Sequence, residues 1–424
     1  MRPTVQSPPP REVISAPRAD RVGRSFIALY TLSYAGGALL FLAPLLVSLA
    51  LKVNDLVGLD DAPRNLALVT AVGSLLSIVS NPLFGRMSDR TTARWGMRRP
   101  WMVVGLVGGT TGILTVALAP NIAVVLVGWG IAQVFLNALL AAQVAVLPDQ
   151  VPVDQRGLVS GVLGICLPAA SVAGTLLVQT FDQSDLTMFL APCVVGSALV
   201  VVFVTRLDDR RLDPADRPPW SLRQLLGSFY VDPRANPDFA WAFLSRFLLL
   251  MAYAFLVTYQ AYFLLDQVGT TEDAVPHQIF LGTLVQSVAL VVAAPVTGRL
   301  SDRVGRRKVF VVVAGVVYAI AMVVIATATA PTGYLVGMAI GGFGFGMYMA
   351  VDLALVVDVL PETGSAAKDL GVLNIAGALP FALAPALAPV VLALSDNSYT
   401  VLYLVAGGCA LLGAAAIVPI KRVR

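Results

Sequence analysis

The phrase Gly85-Arg86-Met87-Ser88-Asp89-Arg90 returns at position 298 as Gly298-Arg299-Leu300-Ser301-Asp302-Arg303, an offset of 213 residues (298 minus 85). Val146-Leu147-Pro148-Asp149 returns at the same offset as Val359-Leu360-Pro361-Glu362. Two matches in step across a 424-residue chain mean that one unit is written twice. A repeat of this length outranks any local reading of the fold. The chain must build two halves of the same topology.

Those halves belong in a bilayer. The chain is 57% hydrophobic and 13% charged, with mean hydropathy +0.81, whereas soluble domains carry about 25% charged residues. Apolar stretches near 26–51, 66–85, 101–119, 122–147, 158–181, 187–205, 239–265, 277–297, 309–329, 333–360, 370–394 and 399–420 each approach the ~20 residues that span hydrocarbon. The expected fold is an all-α membrane protein of twelve transmembrane helices in two six-helix pseudo-symmetric halves. The first stretch exceeds a signal-peptide core, so it is expected to remain as the first helix. Residues 1–24, rich in Pro and Arg, read as a disordered cytoplasmic tail. Residues 25–205 form the first half, 206–238 a charged, Pro-rich cytoplasmic linker, and 239–424 the second half. Within the linker, Trp220 to Leu226 is a candidate amphipathic surface helix.

Charge placement tests the topology. With both termini in the cytoplasm, 26 of 29 Lys and Arg fall on the cytoplasmic side. Lys52 and Arg64 lie outside, and Arg246 lies within a helix. Basic residues translocate poorly, so this asymmetry sets the orientation. The net charge of +4 is therefore a topology signal, without the basic stripe and stacking aromatics of nucleic-acid binding. Cys166, Cys193 and Cys409 are scattered and read as small apolar fillers, with no metal or redox spacing. No phosphate-binding loop is present, and no cofactor is expected.

The repeated phrase resembles the signature loop of the major facilitator superfamily, Gly-x-Leu-Ser/Ala-Asp-Arg-x-Gly-Arg-Arg. The second copy runs Gly298-Arg299-Leu300-Ser301-Asp302-Arg303-Val304-Gly305-Arg306-Arg307. The first is four residues longer and ends Arg94-Trp95-Gly96-Met97-Arg98-Arg99-Pro100. That form is similar to the glycoside–pentoside–hexuronide and sucrose-transporter branch, with Met97 replacing one arginine. The resemblance implies a cytoplasmic gate braced by Gly85, Asp89, Arg90, Gly298, Asp302, Arg303 and Asp358. The glycines would sit at helix ends where a Cβ obstructs, and the aspartates would face helix N-termini. The branch's coupling carboxylates have no counterpart here. The second helix has no acid, and the fourth carries Gln133, Asn137 and Gln143. The fifth helix also lacks the Gly-Pro pair of the antiporter motif.

Ionisable residues at membrane depth point to function. Arg246 lies in the seventh helix, and Asp352 and Asp358 lie in the tenth. Asp358 is near the helix end and suits a partner such as Arg303. Asp352 lies about 12 Å from that end, eight residues at about 1.5 Å each. Arg246 enters to a similar depth, so the two are placed to pair. The resemblance implies a cavity lined by helices one, four, seven and ten. Its candidate ligand residues are Tyr30 and Tyr34, Gln133 and Asn137, Arg246, Tyr253 and Gln260, and Tyr348 with Asp352. Amides, carboxylates and ring faces suit a polyhydroxylated ligand. Asp352 is the candidate proton carrier. His277 reads as a surface residue, with a proton relay as the alternative.

These observations imply a monomeric secondary transporter of a small-molecule substrate, multi-pass in a plasma or bacterial inner membrane. Parallel repeats of this kind alternate access around their interface. The first expectation is a sugar-like solute taken up with a proton. The alternative is a proton-coupled exporter of amphipathic compounds or drugs.

Overall fold

A backbone that crosses hydrocarbon must satisfy its own hydrogen bonds, so each apolar stretch becomes a helix. The computed structural model describes residues 21–216, 234, 236–359 and 375–420, the side chains at 153, 302, 353, 354 and 356–359 excepted. The first half holds α1 (Arg24–Val57), α2 (Ala62–Asp89), α3 (Arg99–Ala117), α4 (Ile122–Gln150), α5 (Val153–Thr180) and α6 (Asp185–Arg206). The second holds α7 (Pro237–Asp266), α8 (Val275–Val304), α9 (Arg307–Ala326), α10 (Pro331–Val359), α11 (Ile375–Leu394) and α12 (Tyr399–Ala416). All twelve are long and apolar enough to cross a membrane. Residues 1–20 of the expected tail over 1–24, the segment 220–226 and the residues from 360 to 362 of the second repeated phrase lie outside the described residues; the end of that tail is ordered, with Val22 N–H donating to Gln155 Oε1 of α5 at 2.8 Å and Arg24 opening α1.

Packing follows the repeat. In the first half α3 lies on α4, α2 on α4, α3 on α6, and α1 on both α5 and α6. The second half repeats this six helices later: α9 on α10, α8 on α10, α9 on α12, and α7 on both α11 and α12. The halves meet mainly through α2 with α11 and α5 with α8. Adding six to one of these pairs, cyclically, gives the other, so a pseudo-two-fold axis passes between them. Small residues permit the close contacts within each half. A Cβ on Gly36 of α1 would stand 2.7 Å from the carbonyl oxygen of Gly196 of α6, and one on Gly196 would stand 2.7 Å from that of Gly36.

Several helices differ from the hydropathy reading. α2 and α8 continue past 85 and 297, through the repeated phrase, to Asp89 and Val304. Hydropathy marks only the part inside hydrocarbon, and polar residues extend a helix freely beyond it. Gly85 and Gly298 therefore lie inside helices, not at their ends. Among the described residues a Cβ on Gly85 would meet nothing within 4 Å, and one on Gly298 would meet the Ala350 Cβ at 4.0 Å. The expected steric need for glycine is not met by any described neighbour in this conformation. α1 contains a π-helical segment, Pro44–Ser48. Pro82, Pro168, Pro295 and Pro385 interrupt α2, α5, α8 and α11, each removing one backbone bond.

Candidate solute pathway

A cavity of about 170 Å³ lies where the halves meet. α1 contributes Phe41, Leu42, Leu45 and Leu46, and α2 contributes Ser74 and Ser77. Gln133 comes from α4, Tyr253 and Val257 from α7, and Ala378 and Phe381 from α11. The Ser74 hydroxyl donates to the Phe381 carbonyl at 2.9 Å, across the halves. Tyr253 stacks on Phe345 at 4.5 Å and 9°, and meets Phe381 edge-on at 6.2 Å. One wall thus offers hydroxyl and amide groups, and the facing wall offers aromatic faces. The serines of α2 were missed in the sequence. Their spacing of three, inside an apolar helix, is the signal that marks them.

The aromatic wall leads to a charge cluster. Phe345 lies 6.1 Å from the Tyr348 ring. The Tyr348 hydroxyl donates to Asp352 Oδ1 at 2.6 Å. Arg246 Nη1 is hydrogen-bonded to Asp352 Oδ2. The side chains of Arg246 and Asp352 are 20% and 9% exposed. Arg246 Nε is buried without a partner among the described residues. One guanidinium and one phenol thus converge on a single buried carboxylate.

The other expected ligand residues divide. Gln133 and Tyr253 line the cavity. Tyr30 does not: it is fully buried inside the first half, its hydroxyl donates to the Gln143 carbonyl at 2.8 Å, and its ring stacks on Phe203 of α6. Tyr34 is half-buried and is not part of the cavity wall. Asn137 is spent within its own half, donating to the Gln133 carbonyl at 2.8 Å and accepting from Asn81 at 3.3 Å. Gln260 belongs instead to the end of the bundle remote from the repeated phrase. There the halves are sealed by Gln260 Nε2 donating to the Leu46 carbonyl (3.3 Å), the Tyr262 hydroxyl to the Ala50 carbonyl (3.0 Å) and Asn54 Nδ2 to Glu272 Oε1 (2.6 Å). His277, exposed at the same end, lies with Nδ1 3.1 Å from Gln179 Oε1 of α5.

At the opposite end the first repeated loop is a closed network. Asp89 pairs with Arg98 Nη1 at 2.6 Å, and Arg98 Nε donates to Asp149 Oδ2 at 2.7 Å. The backbone N–H groups of Arg98 and Arg99, opening α3, donate to Asp209 Oδ2 at 2.6 and 2.8 Å. The anion at a helix N-terminus, expected of Asp89, is therefore Asp209. Gly96 is required here: its φ is +109°, and a Cβ would lie 2.2 Å from Asp209 Oδ2. Met97 N–H donates to the Arg210 carbonyl, and Gln150 to that of Asp208, so the start of the linker is fastened to the first half. Burial pushes the Asp209 carboxyl above its usual range, against the two backbone donors and the Arg98 charge. Burial also opposes the charge on Arg98, but Asp149 and Asp89 outweigh it and hold the guanidinium above its ordinary pKa. Arg90 is half-buried and Arg303 exposed. The side chains of Asp302 and Asp358, and so the expected Arg303–Asp358 contact, lie outside the described set.

Arg98 is the keystone of that network, with a side chain only 5% exposed. Arg98→Ala strands Asp149 and should cost about 3 kcal/mol, as for a broken buried pair. Asp89→Asn should cost under about 1 kcal/mol, because Asp89 is half exposed and rehydrates. Thermal melting of the purified variants checks the contrast, and equal losses would remove Arg98 from its central place.

The model of the family described as MFS/sugar transport protein matches residues 36–395. The chain is 24% identical over 175 residues to the general alpha-glucoside permease of Schizosaccharomyces pombe, covering 35% of this chain and 32% of that one. It is 26% identical over 125 residues to the class E tetracycline resistance protein of Escherichia coli, covering 30% and 29%. The matched stretches thus span less than two thirds of the length of these curated relatives. Among solved structures, the human organic anion transporter MFSD10 superposes with a TM-score of 0.68 at 17% identity, and the nucleoside transporter NupG with 0.73 at 13%. Each match covers 93% of this chain and 99% of the other, and shows a shared fold.

Proposed function

This chain belongs to the MFS/sugar transport protein family within the major facilitator superfamily, and on that premise we propose that it carries a small polyhydroxylated solute across the membrane by alternating access. Its termini lie in the cytoplasm, and uptake is driven by a proton taken at Asp352. The observation that carries this reading is the cavity at the seam, with Ser74, Ser77 and Gln133 across from the Tyr253 and Phe381 rings. Hydroxyl and amide groups orient sugar hydroxyls, and the rings cover its C–H faces. The Arg246–Asp352 cluster adjoins that aromatic wall, where protonation can change which groups Arg246 holds. The alpha-glucoside permease match supports the same class.

A second reading rests on the rest of the wall. Phe41, Leu42, Leu45, Leu46, Val257 and Ala378 are apolar and suit an amphipathic compound, a class that the match to a tetracycline resistance protein supports; such a compound would be exported. Thermal melting of the purified protein against sugars, polyols, organic acids and dyes separates the two. A solute at 100 times its Kd adds about 2.7 kcal/mol to apparent stability. Stabilisation by neutral sugars is expected. Stabilisation by dyes alone would favour the amphipathic substrate over the sugar.

A further inference from the structure

The seal at the end remote from the repeated phrase is built on the backbone of α1. Gln260 Nε2 donates to the carbonyl of Leu46, which lies inside the π-helical segment Pro44–Ser48. The Tyr334 hydroxyl donates to Gln260 Oε1 at 2.9 Å and so turns the amide N–H toward α1. One turn on, the Tyr262 hydroxyl donates to the Ala50 carbonyl at 3.0 Å. Gln260, Tyr334 and Tyr262 are 1%, 0% and 0% exposed. In this dry seam a leucine would fill the place of Gln260 as well, yet an amide stands there with both ends used.

The same segment also lines the central cavity, through Leu45 and Leu46. A π turn holds extra chain relative to an α turn, and such segments often mark functional sites. Relaxing it to α would rotate the residues beyond by about 100° per residue. That rotation carries the Ala50 carbonyl away from Tyr262 and the Leu46 carbonyl away from Gln260. Ser48 Oγ, buried in the segment, has no hydrogen-bond partner among the described residues, so this turn is not locked by its own side chain. We propose that Gln260, oriented by Tyr334, is a positioning residue that couples occupancy of the cavity to release of the far seal through the π segment of α1. The proposal rests on the alternating-access reading above.

The test uses the full-length protein, purified in detergent, with Cys166, Cys193 and Cys409 replaced by alanine. Ala50→Cys reports on the seam, where Ala50 is 3% exposed. Ser77→Cys reports on the cavity wall. The probe is a polar maleimide. Gln260→Leu should speed labelling of Ala50→Cys about three- to ten-fold, the shift for one lost neutral hydrogen bond. Labelling of Ser77→Cys should stay level or fall. Tyr334→Phe should act in the same direction with a smaller effect. Tyr403→Phe, which removes a buried hydroxyl without a partner among the described residues, should change neither rate. The proposal is overturned if Gln260→Leu leaves the Ala50→Cys rate at its parental value. It is equally overturned if both reporters speed up together, because that is a loosened fold. Failure of the alternating-access reading is separate: it would appear as undiminished transport when Asn54→Cys and Glu272→Cys are cross-linked.

Discussion

Arg246→Gln and Asp352→Asn should each destabilise the protein, and the double variant should melt above either single variant. Removing one partner of a buried ion pair leaves an uncompensated charge and costs about 3–5 kcal/mol, whereas removing both does not. Both side chains are largely buried, Asp352 at 9% and Arg246 at 20% exposed, so neither lone charge is fully rehydrated. Tyr348 still donates to the stranded carboxylate, which softens the loss without removing it. In proteoliposomes, with the solute found by thermal screening, Asp352→Asn should keep exchange down a gradient and lose accumulation driven by a pH gradient. Additive losses in the double variant would show that the two charges do not share one energy term. Full pH-driven accumulation in Asp352→Asn would leave the pair a structural contact.

Cross-linking the far seal should stop transport. Asn54 and Glu272 meet across the halves at 2.6 Å, so Asn54→Cys and Glu272→Cys stand within reach of a short bis-methanethiosulfonate reagent. Alternating access requires that seam to open once per cycle. The linked protein should lose at least about ten-fold in uptake, since it can no longer populate the second state. Cleavage by dithiothreitol should restore it. Either single variant treated alike should transport as before.

Much of the architecture was legible because it is written in one-dimensional signals. Apolar length gave twelve helices, and a phrase repeated at a fixed offset gave two halves. The Arg246–Asp352 contact was legible because two opposite charges inside apolar helices, at matched depth, have few other places to go. The faces of α1 were less so. Tyr30 lies on a helix expected at the cavity, but rotation about the helix axis decides which wall it meets, and hydropathy carries no rotation. The seven-residue steps from Arg246 to Tyr253 to Gln260 do share one face. They also climb the helix, so the last reaches the seal rather than the cavity. Asp209 was out of reach, because its partners are backbone N–H groups more than 100 positions away. A backbone donor leaves no trace in residue type.

The junction of α2 with α11 and α5 with α8 has the form of an isologous interface, in which each patch meets the partner's copy of the other. A single six-helix unit could have closed the same interface with its own twin. A homodimer of that kind must place every residue twice. A single chain that holds both copies is free of that obligation, and its two halves differ. The 213-residue offset sets Ser33 and Leu139 where the second half has Arg246 and Asp352. Among the described residues the Arg246–Asp352 pair has no counterpart at those positions of the first half, and the longer loop with its Arg98 and Asp209 fastening belongs to the first half. Because one chain holds both copies, a charged pair in one half and an anchored loop in the other need no match in their twins.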